Sequence, residues 1–145
     1  MSNQNICVLL AEDSPTDAAL AKAAFAGTIM QVDLQIVKDG VEAMEYINNE
    51  KQYAQAQRPD LIILDLNMPR KNGLQTLREL KSNENFKQIP VVILTTSSDE
   101  GDISEAYDQF ASCYIVKPFD YSEFEKTAKS IQDFYFSVAT TPAKK

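Results

Sequence analysis

The sequence predicts an α/β fold, a doubly wound sheet of five parallel strands with helices on both faces. Two observations lead to this prediction. Short runs that are apolar at almost every position are typical of strands buried on both faces, and they occur at residues 6–11, 61–65, 91–96 and 113–116. Segments with the apolar spacing of helices lie between them. A chain that alternates strands and helices in this way forms an open parallel sheet with right-handed crossovers.

The first two strand–helix pairs carry clear boundary signals. After the first strand, Ser14 and Pro15 predict the N-cap and first turn of a helix, which we expect Gly27 to end. The weaker run "VDLQIV" at 32–37 partly alternates, which indicates an edge or near-edge strand. Asp39 is the expected N-cap of the second helix, which has apolar residues at helical spacing: Val41, Met44 and Ile47.

The remaining three helices are predicted from their apolar residues. The helix after the third strand has Leu74, Leu77 and Leu80 on one face. The helix after the fourth strand contains Ile103, Ala106, Tyr107 and Phe110. The last helix begins near Tyr121, and we expect it to bury Phe124, Ala128, Ile131 and Tyr135.

The 145 residues suffice for one domain. We expect residues 5–137 to form it, with flexible termini at 1–4 and 138–145 and a flexible segment at 48–59. Fourteen basic and 21 acidic residues give a net charge of −7, which argues against nucleic acid or an anionic membrane as partner. No apolar run approaches the ~20 residues of a membrane span, and the N-terminus lacks a basic signal region. We therefore expect a cytoplasmic protein.

The composition restricts the available chemistry. The chain has no histidine, which excludes Ser–His and Cys–His nucleophiles and histidine metal ligands. The two cysteines, Cys7 and Cys113, lie on the first and fifth predicted strands, so we expect two small core thiols and no disulfide or metal site. Carboxylates, hydroxyls and lysines must carry the chemistry.

Polar residues follow the apolar runs where ligands bind in doubly wound sheets, beyond the carboxyl ends of the strands. They are Glu12 and Asp13 after the first strand, Asp65 and Asn67 after the third, Thr95 and Thr96 at the end of the fourth, and Lys117 and Pro118 after the fifth. Any one of them could be a solvated loop residue. Their convergence on one edge favours a functional site.

The electrostatics of this group predict a hard divalent cation. Two carboxylates about 4 Å apart repel by roughly 4 kcal/mol at an effective dielectric near 20, and a cation removes that repulsion. A site made only of oxygen ligands favours Mg²⁺ over zinc. Mg²⁺ beside a carboxylate suits phosphoryl transfer onto that carboxylate, and Asp65 at the end of a central strand is the best-placed acceptor. Lys117 and Thr95 would contact the phosphoryl oxygens.

Four segments, "LLAEDS", "LIILDLNMPRKNG", "PVVILTT" and "YIVKPF", occur in this order and together resemble the receiver domain of two-component response regulators. The resemblance covers roughly residues 5–137. It implies a flavodoxin-like fold with strand order 2-1-3-4-5. It also implies that the protein is mainly a signalling phosphoacceptor and not a turnover enzyme. Such a protein catalyses its own phosphorylation and its own slow dephosphorylation.

The resemblance assigns roles to residues that match the receiver pattern. Asp65 would be the phosphorylated aspartate, with Glu12 and Asp13 as the acidic pair around Mg²⁺ and Asn67 contributing its backbone carbonyl. Thr95 would be the switch hydroxyl, and Lys117 the lysine that contacts the phosphoryl group. Pro118 would follow a cis peptide bond, and Tyr114 would be the aromatic ring that moves when Thr95 is drawn toward the phosphoryl group. The response would be a shift of the face formed by the fourth and fifth strands and helices.

A narrower likeness concerns the segments 46–73, 80–100 and 133–142, which resemble stand-alone response regulators that partner bacterial phytochrome histidine kinases. It implies a sensor histidine kinase as phosphoryl donor and a histidine phosphotransfer protein as a further partner. It also implies a homodimer through the fourth helix, fifth strand and fifth helix. One helix face cannot bury all of "DFYF", so Phe134 or Phe136 is a candidate partner contact.

Three alternatives were weighed against this interpretation. A phosphatase of the haloacid dehalogenase type also uses a strand-end aspartate, but it needs a second carboxylate where this chain has Asn67. A flavin-binding module would need a phosphate-binding first loop, and "AEDSPTD" would repel phosphate. A chemotaxis-type receiver that binds a motor or another target shares the same site, so the site alone does not separate it.

Overall fold

Five parallel strands form a single sheet in the computed structural model, which describes residues 6–26 and 32–138. The strands are β1 (Ile6–Ala11), β2 (Val32–Val37), β3 (Leu61–Leu64), β4 (Val91–Thr95) and β5 (Cys113–Val116). Their order is β2-β1-β3-β4-β5, and every neighbouring pair is parallel. The predicted fold class and strand order are therefore confirmed.

Each strand is followed by an α-helix within these ranges. The helices are α1 (Pro15–Ala26), α2 (Gly40–Ile47), α3 (Gly73–Lys81), α4 (Glu100–Asp108) and α5 (Tyr121–Asp133). Side chains satisfy backbone N–H groups at the helix starts, since Ser14 Oγ accepts from Asp17 N at 3.2 Å and Asp39 Oδ1 accepts from Glu42 N at 2.8 Å. Gly27, the predicted end of α1, lies outside the described residues.

The helices cover both faces of the sheet, so each central strand is buried on both sides. Successive strand residues point to opposite faces. Leu9 and Ile62 pack in one core with α2 and α3, whereas Val8 and Ile63 pack in the other with α1 and α5. The predicted inner face of the last helix is buried at Phe124, Ala128 and Ile131 of α5, and Tyr135 is buried in the π-helical turn Phe134–Val138 that follows α5.

The register of the strands brings their carboxyl ends to one edge. Ala11 pairs with Leu64, and Leu64 pairs with Ile93 on the next strand. The backbone continues this alignment past β3, because Asp65 N donates to Ala11 O at 3.1 Å. At the other side, Lys117 N donates to Thr95 O at 2.7 Å. Residues directly after β1, β3 and β5 therefore meet, as parallel pairing requires.

The apolar residues assigned to the fourth helix are less buried than the prediction implied. Ala106 is fully buried and Ile103 is half-buried, but Tyr107 and Phe110 are exposed. α4 ends at Asp108, so Phe110 lies beyond it, in a left-handed conformation with φ of 69°. Helical spacing identifies residues that share a face, but it does not show whether another element covers that face.

The segment 48–59, which the sequence predicts to be flexible, contains a 3₁₀ turn at Lys51–Tyr53. It has hydrogen bonds within itself and to the end of α2. Tyr46 Oη donates to Gln57 O at 3.0 Å, and Asn49 Nδ2 donates to Ala56 O at 2.9 Å. Side-chain bonds to backbone carbonyls thus order a segment that is too polar to be ordered by burial alone.

The prediction of a cis peptide bond before Pro118 is wrong, and the prediction of two core thiols is wrong in part. All described peptide bonds are trans, including the one before Pro118; trans is the lower-energy isomer of an X–Pro bond. Cys7 is a buried core thiol as predicted, with its Sγ 3.5 Å from Tyr46 Oη. Cys113 is only half-buried, because β5 is an edge strand with one side open.

Candidate functional site

Three carboxylates meet at the carboxyl edge of the sheet. One oxygen each from Glu12, Asp13 and Asp65 lies within 4.8 Å of the others. Glu12 and Asp65 are 5% and 7% exposed, whereas Asp13 is open to solvent. Glu12 directly follows β1 and Asp65 directly follows β3, so the pairing of Ala11 with Leu64 places them side by side. The structure thus brings together the acidic residues that the sequence nominated.

The Lys117 ammonium lies among these carboxylates. Its Nζ is 2.5 Å from Glu12 Oε1, 3.2 Å from Asp65 Oδ2 and 2.8 Å from Asp17 Oδ2. The lysine is 9% exposed, so its charge is largely removed from water. A buried ammonium is stable when each of its three N–H groups finds an acceptor, and here three carboxylates supply them.

The surroundings raise the pKa of both Glu12 and Lys117, for different physical reasons. Burial raises the pKa of Glu12 to about 7, and the hydrogen bond from Lys117 only partly opposes that increase. Burial also disfavours the Lys117 ammonium, but hydrogen bonds to Asp17 and Glu12 outweigh it and raise the pKa of Lys117 above its usual value. The lysine is therefore charged at neutral pH, and the excess negative charge around it makes a cation favourable.

Asp65 is held from two sides. Its Oδ1 accepts from Asn67 N at 3.3 Å, while its Oδ2 faces Lys117. Gly73, the first residue of α3, lies so close that a Cβ there would be 2.3 Å from Asp65 O. Asn67 itself is exposed beside the carboxylate, and its predicted contact through the backbone carbonyl stays a prediction.

Thr95 and Tyr114 lie on the neighbouring strands. Thr95 is fully buried at the end of β4, and its Oγ1 accepts from Ser97 N at 3.4 Å. Tyr114 on β5 is half-buried, and its Oη donates to Ser97 O at 2.9 Å. Ser97, in the β4–α4 loop, therefore connects the predicted switch hydroxyl to the predicted switch ring. Thr96 is exposed and takes no part in this connection.

One residue of the site and one ion pair elsewhere were not predicted from the sequence. Asp17, in the first turn of α1, contacts Lys117 at the site. Arg70 follows Asp65 in the β3–α3 loop and binds Asp39 with two bonds, Nε to Oδ2 at 2.7 Å and Nη2 to Oδ1 at 3.1 Å. No sequence signal pairs Arg70 with a residue 31 positions away.

The donor set fits a magnesium ion. Glu12, Asp13 and Asp65 supply oxygen ligands only, and Asp13 leaves one side of the group open to water and to a phosphoryl oxygen. No histidine is present in the chain, and both cysteines lie away from the group on β1 and β5. The haloacid dehalogenase alternative is not favoured, because Asn67 cannot act as its second acid.

Comparison with known proteins agrees with this geometry. The model of the response regulator receiver domain matches residues 8–129. The chain is 37% identical over 142 residues to response regulator Rcp1 from Synechocystis, covering 98% of this chain and 97% of Rcp1. It is also 28% identical over 135 residues to the probable methanogenesis regulatory protein FilR2 from Methanothrix harundinacea, covering 93% and 86% of the two chains.

The solved structures that resemble this protein include response regulators as well. The phosphorylated cyanobacterial phytochrome response regulator RcpA has a TM-score of 0.92 at 42% identity, covering 97% of this chain and 100% of RcpA. The Mn²⁺-bound form of Rcp1 has a TM-score of 0.88 at 36% identity, covering 95% and 99%. None of the helices in the described ranges is long and apolar enough to cross a membrane. The chain belongs to the response regulator receiver domain family.

Proposed function

We propose that this protein accepts a phosphoryl group on Asp65 from a histidine kinase, with Mg²⁺ as cofactor. The observation that carries the proposal is the placement of one buried carboxylate, Asp65, beside both an acidic pair and an ammonium. Oxygens of Glu12 and Asp13 lie within 4.8 Å of an Asp65 oxygen, and Lys117 Nζ lies 3.2 Å from Asp65 Oδ2. The ammonium supplies one positive charge next to the attacking carboxylate, and a Mg²⁺ held by the acidic residues would supply more.

The role of each residue follows from this placement. Glu12, Asp13, Asp65 and the Asn67 carbonyl would hold Mg²⁺, which when bound neutralises charge on the transferred group. A carboxylate oxygen of Asp65 attacks phosphorus, the bond from phosphorus to the donor histidine breaks, and an acyl phosphate forms on Asp65. Lys117 would donate to a phosphoryl oxygen and stabilise the added charge.

The conformational change caused by phosphorylation would spread from the site through Thr95 and Tyr114. The Thr95 hydroxyl accepts from Ser97 N and so keeps its own proton, which it can donate to a phosphoryl oxygen. Tyr114 Oη holds the carbonyl of the same Ser97, so a shift of this loop changes the contact of the Tyr114 ring. One added dianion would thereby bias the surface of α4, β5 and α5 between two arrangements.

Intact mass after incubation with acetyl phosphate tests the acceptor. The wild type should gain one phosphoryl group in the presence of Mg²⁺ and none with a chelator. Asp65→Asn should gain none in either condition. A mass gain by Asp65→Asn would contradict the proposal. If the wild type gains nothing, a titration with beryllofluoride separates a silent site from one that hydrolyses too fast, and a lack of beryllofluoride binding would overturn the proposal.

The donor is proposed to be a phytochrome histidine kinase, in keeping with the segments that resemble phytochrome-partnered regulators. The similarity to RcpA and Rcp1, and to RPA3017 from R. palustris, described as acting in red light signalling, supports this proposal. RPA3017 is 32% identical with a TM-score of 0.89. The proposal also includes onward transfer of the phosphoryl group to a histidine phosphotransfer protein. It places the protein in the cytoplasm. Light-dependent phosphoryl transfer from a purified phytochrome kinase would test it.

A homodimer through α4, β5 and α5 is the second part of the proposal. Large apolar side chains are exposed on these elements and the turns beside them: Tyr107, Phe110, Val116 and Phe134. Of the aromatics in "DFYF", Tyr135 is buried and Phe136 half-buried, so Phe134 is the one left for a partner. Phe134 also borders a groove of about 500 Å³ along β5 and α5, where an apolar side chain could insert.

A further inference from the structure

Asp17 is a carboxylate at the site that the proposed chemistry does not use. Its Oδ2 lies 2.8 Å from Lys117 Nζ, and its side chain is 34% exposed, against 3% for Glu12 and 9% for Asp65. It is absent from the group of carboxylates that could share a metal ion. Asp17 therefore contacts the lysine without belonging to the metal centre.

All three N–H groups of the Lys117 ammonium have a carboxylate partner. A phosphoryl group on Asp65 can bind this ammonium only if one of those partners gives way. Glu12 and Asp65 would offer oxygens to a bound Mg²⁺, whereas Asp17 is not in the group of carboxylates that could share the ion. In the Mg²⁺-bound, unphosphorylated protein, Asp17 would thus be the partner that retains Lys117.

We propose that Asp17 is a positioning residue that holds the Lys117 ammonium in the unphosphorylated state and competes for it with the phosphoryl group on Asp65. This inference rests on the proposed function. It predicts effects of opposite sign when Asp17 is removed. A phosphoryl analogue should bind more tightly, because Lys117 is released. Mg²⁺ should bind more weakly, because Lys117 then pairs more closely with Glu12 and Asp65.

The simpler interpretation is that Asp17 only stabilises the start of α1. A carboxylate in the first turn interacts favourably with the helix dipole, and Asp17 N donates to Ser14 Oγ. In that case Asp17→Asn would lower the stability of α1 slightly and leave both affinities unchanged. The two interpretations therefore differ in a binding measurement.

The experiment compares Asp17→Asn with the wild type by two titrations. Mg²⁺ binding is measured by calorimetry, and beryllofluoride binding at saturating Mg²⁺ is measured by ¹⁹F NMR. Two variants that remove the same charge serve as controls. Asp102→Asn removes a carboxylate at the same sheet edge, where Asp102 bonds to Ser97 Oγ and not to Lys117. Asp133→Asn removes an exposed one at the far end of α5.

Asp17→Asn should bind beryllofluoride about three- to fivefold more tightly and Mg²⁺ more weakly by a similar factor, the range expected for a partly exposed ion pair. Both controls should stay near the wild type. The inference is overturned if Asp17→Asn leaves both affinities unchanged, if it weakens beryllofluoride binding, or if Asp102→Asn produces the same gain through space. A wild type that binds no beryllofluoride would overturn the proposed function itself, and this inference with it.

Discussion

At the scale of single residues, Lys117 stabilises the buried carboxylates of the site when no metal ion is bound. Its ammonium neutralises two buried carboxylates, those of Glu12 and Asp65, in a part of the protein that water hardly reaches. A bound Mg²⁺ would also neutralise these carboxylates. We therefore expect the lysine and Mg²⁺ to replace each other in part as a source of stability.

The first prediction follows from this overlap. Lys117→Met should lower the free energy of unfolding by about 1–3 kcal/mol without Mg²⁺, because buried carboxylates lose their partner. Added Mg²⁺ should restore more stability to this variant than to the wild type, since ligand binding to the native state stabilises it by mass action. Urea unfolding with Mg²⁺ and with a chelator measures both quantities. Lys126→Met, which breaks an exposed pair with Glu123, is the control. Equal Mg²⁺ effects in all three proteins would contradict the prediction.

Asp39 is the second residue with a strong local effect, since it caps α2 and pairs with Arg70 while only 1% exposed. Burial alone would raise the pKa of Asp39, but the hydrogen bonds from Arg70 and from Glu42 N outweigh burial and lower it below the usual value. A lowered pKa means that the ionised carboxylate stabilises the fold. This contribution is complete above the unfolded pKa and is lost as the pH falls through the lower, folded pKa.

Asp39→Ala should therefore lower the free energy of unfolding at pH 7 by about 1–2 kcal/mol from the lost cap, with the lost Arg70 pair adding to it. The difference from the wild type should narrow as the pH falls below the usual aspartate range. Urea midpoints between pH 7 and pH 3 measure it. Asp99→Ala removes an exposed cap of α4 that has no arginine partner, and should cost less. If the difference in the free energy of unfolding between the wild type and Asp39→Ala stays constant with pH, the charge of Asp39 does not contribute and the residue acts only as a neutral cap.

At the scale of elements, the close approach of α3 to β3 positions the acceptor. Gly73→Ala would place a Cβ 2.3 Å from Asp65 O and 2.8 Å from Leu66 Cα, both backbone atoms that cannot rotate away. We expect a cost of about 1–3 kcal/mol and weaker Mg²⁺ binding, because the Asp65 backbone must move. Gly101→Ala, in exposed α4, meets only a side-chain oxygen of Asp99 and should change stability by less than about 1 kcal/mol. Unfolding and Mg²⁺ titrations of both variants test this, and normal Mg²⁺ binding by Gly73→Ala would contradict it.

The elements were predictable from the sequence because their signals are local. Continuous apolar runs predicted β1, β3 and β4, which are buried on both faces, and also the half-buried edge strand β5. The residue after each run is placed by the sheet itself, so Asp65 and Lys117 could be assigned to one edge. Asp17 and Arg70 could not be assigned, because their partners are chosen by how helices and loops pack. The exposure of Phe110 was missed for the related reason that spacing does not reveal an uncovered surface.

At the scale of the whole molecule, the exposed apolar surface of α4, β5 and α5 is expected to control self-association. Phe110→Asn removes one aromatic ring, and asparagine tolerates the left-handed backbone at this position. We expect dimerisation to weaken about fivefold or more, as for removal of a central interface side chain. Sedimentation with and without beryllofluoride measures it. Ile36→Thr, on the opposite edge strand β2, is the control. A wild type that stays monomeric in both conditions would contradict the proposed dimer.

The connection between site and surface can be tested separately. Thr95→Val keeps the shape of this buried side chain but removes its hydroxyl. The variant should still gain the phosphoryl mass with Mg²⁺, because Asp65 and Lys117 are unchanged. Its backbone NMR signals in α4, β5 and α5 should no longer shift on phosphorylation as those of the wild type do. Wild-type shifts in Thr95→Val would show that another route carries the signal.

The central claim is that Asp65 is the residue that receives the phosphoryl group. Borohydride reduction after incubation with acetyl phosphate converts an aspartyl phosphate to homoserine, which peptide mass spectrometry locates in the sequence. We predict homoserine at position 65 in the sample with Mg²⁺ and at no position in the sample with chelator. Homoserine at position 13, or labelling that is independent of Mg²⁺, would contradict the account.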